Sequence, residues 1–126
     1  MREIEFRGTS IVLDSFGEVL CGDLHNLEDE YYIYNDRIWT EVDEKSVCQY
    51  TGRKDKNDKK IYEGDFLARE SFWSVRIEWE DTAFMVRDLD KVRYNNLCFN
   101  WYLKSFDCSE WEVIGNIYEN PELQNK

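Results

Sequence analysis

The first candidate for acid–base chemistry near neutral pH is the single histidine, His25. It lies close to an acidic run at 28–30, but no serine or cysteine nucleophile pattern accompanies it, and the run lacks the glycine-centred ligand spacing of a calcium loop. We therefore interpret His25 as a loop or surface residue. The many carboxylates define no particular pair for glycoside hydrolysis, and the glycines form neither a GxGxxG nor a Walker loop. The sequence predicts no catalytic residue, no cofactor and no enzyme activity.

The four cysteines, at positions 21, 48, 98 and 108, are widely separated and form no CxxC pair. Zinc sites usually contain close ligand pairs, and one histidine cannot complete such a site. The opening residues MREIEFRG are charged where a signal peptide needs an apolar run, and no stretch approaches the roughly 20 apolar residues of a membrane span. We therefore expect reduced, half-buried cysteines in a cytoplasmic protein, with no metal site and no membrane association.

A concentration of basic residues between two tyrosines is the best candidate for a binding surface. Its five cations, with Asp55 and Asp58 among them, give the segment a net charge of +3. Together with the tyrosines, they form a surface suited to nucleic acid, which would be held by charge and stacking. The alternative is a solvated hairpin tip whose long charged side chains keep a strand edge from aggregating. The predicted partner-binding residues are Tyr50, Arg53, Lys54, Lys56, Lys59, Lys60 and Tyr62.

The charge of the whole chain restricts its partners. With 16 basic and 27 acidic residues the formal net charge is −11, which slows approach to DNA and to anionic membranes. We interpret this charge as a solubility feature. A less favoured interpretation is an acidic mimic of DNA. Nucleic acid therefore remains an alternative partner for the basic segment, although the net charge disfavours it.

The length and the hydrophobic pattern indicate one mainly β domain. The 126 residues fit a single domain, 1–126, with the last few residues after Pro121 expected to fray. Alternation of apolar and polar residues dominates and favours strands over helices. It predicts an opening strand from Ile4 to Leu13, broken at Gly8, and a second strand that ends at Gly22.

Further along, the pattern predicts hairpins. Residues 31–34 and 38–42 flank a turn at Asn35-Asp36, and residues 73–79 alternate without interruption before a partner strand at 83–86. From residue 88 to residue 108 the pattern weakens: its first apolar residues, up to Leu97, fit neither period, whereas those from Phe99 to Phe106 fit either a strand or a short helix. Near the end, Gly115 predicts a bulge or a close backbone approach.

Three segments resemble the YopX family of small phage and prophage proteins. These are the opening MREIEFRG, the central QYTGRKDKNDKKIYEGDF and the closing EVIGNIYENPEL, and Asp58 stands where the family commonly has glycine. The resemblance implies a mostly β protein with a mixed, partly barrel-like sheet and little helix, in a bacterial host cell. It implies no agreed activity and no catalytic residues. In the motifs, Gly52 is expected to supply a left-handed turn residue, Gly64 to bend a strand, and Asp65 to accept backbone N–H bonds.

The combined prediction is a non-enzymatic phage accessory protein that binds a host protein, a phage protein or a second copy of itself. Weak nucleic-acid binding through residues 53–60 and DNA mimicry are the alternatives. The tyrosines at 31, 32 and 34 are candidate interface anchors, because tyrosine is enriched at interfaces, but ordinary strand packing also accounts for them.

Overall fold

The structure, a computed structural model, describes residues 4–69, 73–80, 83–89, 100–103 and 106–125. Within these ranges the chain forms antiparallel strands connected by hairpins and short 3₁₀ helices. The strands are β1 (Phe6–Thr9), β2 (Val19–Leu27), β3 (Glu30–Asn35), β4 (Ile38–Val42), β5 (Cys48–Lys54), β6 (Lys60–Tyr62), β7 (Asp65–Arg69), β8 (Trp73–Glu80), β9 (Ala83–Asp88), β10 (Asn100–Tyr102) and β11 (Glu112–Asn116). The 3₁₀ helices are Leu13–Ser15, Glu44–Ser46, Cys108–Glu110 and Pro121–Asn125.

The strands belong to two sheets, and the chain forms two compact units. The first sheet has the order β4-β3-β2-β1-β5-β6 and the second β10-β9-β8-β7-β11. The first unit is Met1–Gly52 and the second is Arg53–Lys126, so that β5 crosses the boundary. The prediction of a mainly β fold is confirmed. The sheets are antiparallel rather than mixed, because successive strands are joined by short hairpins. No closed barrel is found among the described strands, so the partly barrel-like form is not confirmed.

The first unit has one buried face, formed by the three-stranded meander β2-β3-β4. Ile33 and Val42 are almost completely buried on this face. The predicted hairpin is confirmed, but its turn lies one residue later than predicted: Asn35 pairs with Ile38, and Asp36 and Arg37 form the two-residue turn with positive φ angles of 51° and 66°. Two consecutive left-handed residues match the right-handed twist of the flanking strands.

The sequence predicts that a strand ends at Gly22, but in the structure Gly22 is a corner inside β2. Residues 19–22 of β2 pair with β1, whereas residues 23–27 pair with β3. A Cβ at position 22 would lie 2.2 Å from the carbonyl oxygen of Tyr34. The strand therefore continues through a close backbone approach that requires the absence of a side chain.

The opening strand is shorter than predicted, because it ends at Thr9. Ser10 is buried, its hydroxyl accepts the Val12 N–H at 3.1 Å, and its carbonyl accepts the Gly17 N–H at 2.9 Å. These bonds close a turn, so the apolar residues predicted to continue the strand lie exposed in a loop. The run of apolar residues therefore did not predict the end of the strand, since local hydrogen bonding determines where β1 ends.

The second unit has its own hydrophobic core. Ile77 and Val86 on neighbouring strands are fully buried, which confirms the predicted inward face of β8 and the predicted partner strand β9. The core consists of Ile61, Leu67, Val75, Ile77, Phe84, Val86, Leu103, Cys108 and Trp111. Within the segment that the sequence left unassigned, residues 90–99, 104 and 105 lie outside the described residues. Its described part contains the end of β9, the short strand β10 and the first residue of the 3₁₀ helix Cys108–Glu110.

Of the glycines in the family-like motifs, Gly52 has the predicted left-handed conformation but lies inside β5, and Gly64 lies in the turn between β6 and β7 rather than within a strand. Gly52 and Gly64 have φ angles of 88° and 85°, in the left-handed region. The register of β11 against β7 shifts between Val113 and Gly115, which is the predicted bulge. At Gly115 a Cβ would lie 2.5 Å from Asn120 Oδ1, so the backbone must also approach closely there. The terminal residues 121–125 form a 3₁₀ helix.

In the described part of the chain, no helix has both the length and the apolar character needed to cross a membrane.

Candidate functional site

The predicted basic segment is a hairpin tip between β5 and β6. Asp58, at its apex, has a φ of 64°, a left-handed conformation that glycine would adopt at lower cost. Lys56 and Lys59 are exposed, and Lys54 Nζ lies 3.8 Å from Asp58 Oδ1 in an exposed ion pair. The Arg53 guanidinium donates to the carbonyl of Phe106 at 3.2 Å. The tip therefore presents cations to solvent from a turn of defined conformation.

Asp55 organises this tip from within the protein. Its side chain is only 6% exposed, and Oδ1 accepts the backbone N–H groups of Asn57 at 2.8 Å and Lys59 at 2.9 Å. Oδ2 accepts the Val113 N–H at 2.9 Å, and the Lys56 N–H donates to the Trp111 carbonyl at 2.9 Å. The hairpin is thus bonded to the closing motif of the same unit.

The pKa of Asp55 lies below its ordinary value of 3.8. Burial opposes ionisation of the carboxyl, but the N–H donors of Val113, Lys59 and Asn57, aided by the Lys59 charge, outweigh that effect. Asp55 is therefore an ionised, internally bonded carboxylate at neutral pH.

The two tyrosines predicted to assist at this tip are core residues. Tyr50 and Tyr62 are each 4% exposed, so their rings offer no stacking face to a base. The sequence pattern placed them beside the tip, but alternation along β5 and β6 points them inward. Only the cationic part of the predicted surface, Arg53, Lys54, Lys56, Lys59 and Lys60, has side chains that are exposed or half-buried.

A second surface, on the outward face of β2-β3-β4, was only partly anticipated. Directly opposed residues of antiparallel strands share a face. By register, Asp23, Tyr34 and Trp39 form one row across the three strands, and His25, Tyr32 and Glu41 form the next. We call these six residues the aromatic–acidic face. Of the three candidate tyrosine anchors, Tyr32 and Tyr34 lie on this face. Tyr31 lies on the opposite face of β3, the one that holds the buried Ile33.

The rings of this face pack around Trp39. Its ring centroid lies 4.1 Å from that of His25, 5.4 Å from that of Tyr34 and 6.4 Å from that of Tyr32. Trp39 itself remains 49% exposed. His25 is therefore a strand residue in a ring cluster and not a loop residue, and the signal that could have found it was its position opposite Tyr32 in the hairpin register.

One phenol of the face has a displaced pKa. The Tyr32 hydroxyl donates to Glu30 Oε2 at 2.6 Å. This bond to the carboxylate, followed by desolvation and the charges of Glu30 and Glu41, raises the pKa of Tyr32 to about 12. The phenol therefore remains a neutral donor at every physiological pH.

We expect Glu30→Gln to lower the pKa of Tyr32 towards the ordinary tyrosine value of about 10, because the charged acceptor is lost. An NMR titration of the protein with tyrosine labelled at Cζ measures the pKa of Tyr32. Asp29→Asn, in the adjacent turn, removes one carboxylate of the same hairpin that accepts no bond from the phenol, and should leave the pKa raised. An equal fall in both variants would attribute the shift to general negative charge.

The described residues hold no group of three or more His, Cys, Asp or Glu side chains that could bind a metal ion. Cys21, Cys48 and Cys108 are present as thiols rather than in a disulfide, and Cys98 lies outside the described residues. Burial raises the pKa of the Cys108 thiol. The Arg53 charge lowers this pKa by less than burial raises it, and the charges of Asp107 and Asp55 add to the rise. A buried thiol with a raised pKa is a poor nucleophile.

The fold and these surfaces define a small antiparallel β protein with two candidate binding surfaces. The YopX family model, described as YopX protein, matches residues 9–125 of the chain. The chain therefore belongs to the YopX family. A comparison with curated protein sequences gave no match.

Proposed function

We propose that this YopX-family protein is a non-enzymatic accessory protein of a phage or prophage that binds a protein partner inside the bacterial host cell. The observation that carries the proposal is the aromatic–acidic face. Trp and Tyr are enriched at protein interfaces and dominate their binding energy. Here Trp39, half exposed, is held by neighbouring rings on a regular sheet, so little conformational freedom would be lost on binding.

An affinity capture from host-cell lysate, with and without nuclease, tests this proposal. We expect retained protein to survive nuclease treatment and to fall at least about fivefold for Trp39→Ala, since central aromatic anchors typically contribute more than about 1 kcal/mol. Trp79→Ala is the matched control: Trp79 is 46% exposed and packs against one ring, Phe84, in the second unit. A second copy of the chain counts as a partner and would be detected as a homo-oligomer by light scattering. Retention that is unaffected by Trp39→Ala, or no retained protein, would contradict the proposal.

The second candidate function is weak nucleic-acid binding at the basic tip. It is supported by the exposed Lys56 and Lys59. It is weakened by the buried tyrosines and by the net charge of −11.

Asp58→Asn offers a direct test, because it raises the tip charge by one while keeping a residue type that tolerates a left-handed φ. If the tip binds single-stranded DNA, we expect this variant to bind about two- to fivefold more tightly and with a steeper salt dependence. Lys56→Glu with Lys59→Glu should abolish the binding. Fluorescence anisotropy of a labelled oligonucleotide over a salt series measures both, and binding without a salt slope would remove this function.

A further inference from the structure

The aromatic–acidic face combines two kinds of side chain that together recognise a cation. From its rings, its carboxylates and the charge of its unit, we infer that this face binds an arginine side chain presented by a basic segment of the partner protein. This inference rests on the proposed function and names the chemistry of the partner at the same site.

The rings supply an electron-rich surface. A guanidinium within about 6 Å of a tryptophan or tyrosine centroid is attracted by the negative face of the ring. Trp39 has an exposed surface for such stacking, while the edge-on contact of Tyr34, 62° from the plane of Trp39, fixes its orientation. The His25 ring, tilted 45° to Trp39, packs closely against the indole and helps to hold it in place.

The carboxylates supply the charge. Asp23, on β2, is directly opposite Tyr34, and Glu41, on β4, is directly opposite Tyr32. Each row therefore has an acid at one of its two ends. Arginine can stack its plane on a ring and at the same time donate N–H groups to a neighbouring carboxylate, which lysine, a compact point charge, does less well. The presence of one acid and two rings in each row therefore favours a guanidinium.

The charge of the unit excludes the other occupants. Residues 1–52 include twelve acidic and four basic residues, a formal net of −8. A nucleic acid or an anionic membrane would be repelled by this field. A purely apolar partner would have to desolvate Asp23 and Glu41 without compensation. A cationic protein segment satisfies both requirements and would also be steered towards the face.

The test titrates the full-length ¹⁵N-labelled protein with a blocked peptide of alternating glycine and arginine. The matched probe is the same peptide with citrulline, the neutral analogue of arginine. We expect the Trp39 indole N–H signal to shift and saturate with the arginine peptide and the Trp79 indole to remain unmoved. The citrulline peptide should bind at least about tenfold more weakly, because both the cation–π attraction and the ion pair are lost.

Two sets of variants separate a built site from general negative charge. Trp39→Ala, and Asp23→Asn with Glu41→Gln, should each weaken arginine binding about tenfold. Glu28→Gln with Asp29→Asn makes the same charge change in the β2–β3 turn. This double variant should alter the affinity for the arginine peptide by less than about twofold, since salt screens exposed charges that lie away from the bound cation. Equal binding of the citrulline peptide, an unchanged affinity in Trp39→Ala, or an equal loss in the turn variant would overturn the inference.

The outcome is independent of the lysate capture. An arginine peptide that fails to bind, while Trp39→Ala still loses a captured protein, would overturn the arginine inference and leave the proposed function standing. A peptide that binds as expected, with no protein retained from lysate, would support the cation site and contradict the proposed function.

Discussion

Replacing Asp55 with alanine is expected to lower the free energy of unfolding of the second unit by about 2–4 kcal/mol, because one buried carboxylate accepts three backbone N–H bonds. The Asn57 and Lys59 N–H groups lie in an exposed turn and can bond to water instead. The Val113 N–H lies on a half-buried strand and loses its acceptor there. Urea denaturation followed by far-ultraviolet circular dichroism measures the change.

Asp55→Asn separates shape from charge. It keeps one acceptor oxygen for the turn but presents an NH₂ group to the Val113 N–H, so we expect it to recover less than half of the alanine loss. Asp58→Asn, an equal charge change three residues away, is the control and should alter stability by no more than about 0.5 kcal/mol. An Asp55→Ala protein as stable as the wild type would show that the carboxylate does not organise the hairpin.

The same residue makes a pH prediction. Because the pKa of Asp55 is lowered in the folded protein, its ionised form stabilises the fold above the unfolded-state pKa of about 3.9, and this contribution is lost as the pH falls through the folded-state value. The unfolding free energy of the wild type should therefore decrease more steeply between about pH 5 and pH 3 than that of Asp55→Asn. Parallel curves would contradict this assignment.

Replacing Gly22 with alanine is expected to cost the first unit about 3 kcal/mol or more, because the new Cβ would lie 2.2 Å from a backbone carbonyl oxygen of β3. A flexible side chain could move aside at small cost, but the Tyr34 carbonyl is part of the strand that pairs with β2. We expect amides of β2 and β3 to lose hydrogen-exchange protection together, which NMR can follow residue by residue.

Gly17→Ala is the matched comparison for Gly22→Ala. Position 17 has a φ of 88° but nothing lies within 4 Å of an added Cβ, so only backbone strain of about 1–2 kcal/mol should appear. If the two variants lost equal stability, the close approach at Gly22 would not be the dominant constraint. Loss of Trp39-dependent binding in Gly22→Ala would follow from disordering of the same hairpin.

Elements with strong local signals were predictable. The β3–β4 hairpin was placed because alternating residues flank a pair of turn formers, and β8 because its apolar residues alternate without interruption. The bulge at Gly115 followed from a glycine in an otherwise apolar strand. The error at residues 11–13 arose because hydrogen bonds of Ser10 close a turn there, whereas the error at Gly22 has a different cause. A glycine can end a strand or allow a close approach within it, and only the neighbouring strand decides which.

The candidate surfaces were also predictable from the sequence only in part. The basic tip could be identified from composition, because its charges are adjacent in the chain. The burial of Tyr50 and Tyr62 could not, since their positions beside the tip did not specify which way the rings point. The aromatic–acidic face depends on register: His25 and Trp39 are fourteen positions apart, and only the pairing of β2 and β4 with β3 brings their rings to 4.1 Å.

By itself the sequence determined the YopX family, the mainly β architecture with hairpins at its regular strands, and a cationic tip on an acidic chain. These features depend on residues that are neighbours along the chain, where periodicity and turn chemistry act directly. The tertiary structure alone decided that Asp55 is an internal acceptor bonded to Val113, that Gly22 is a corner, and that six residues of three strands share one exposed face. Each of these depends on contacts between distant segments, which form only when burial and backbone hydrogen bonding fix the register of the strands.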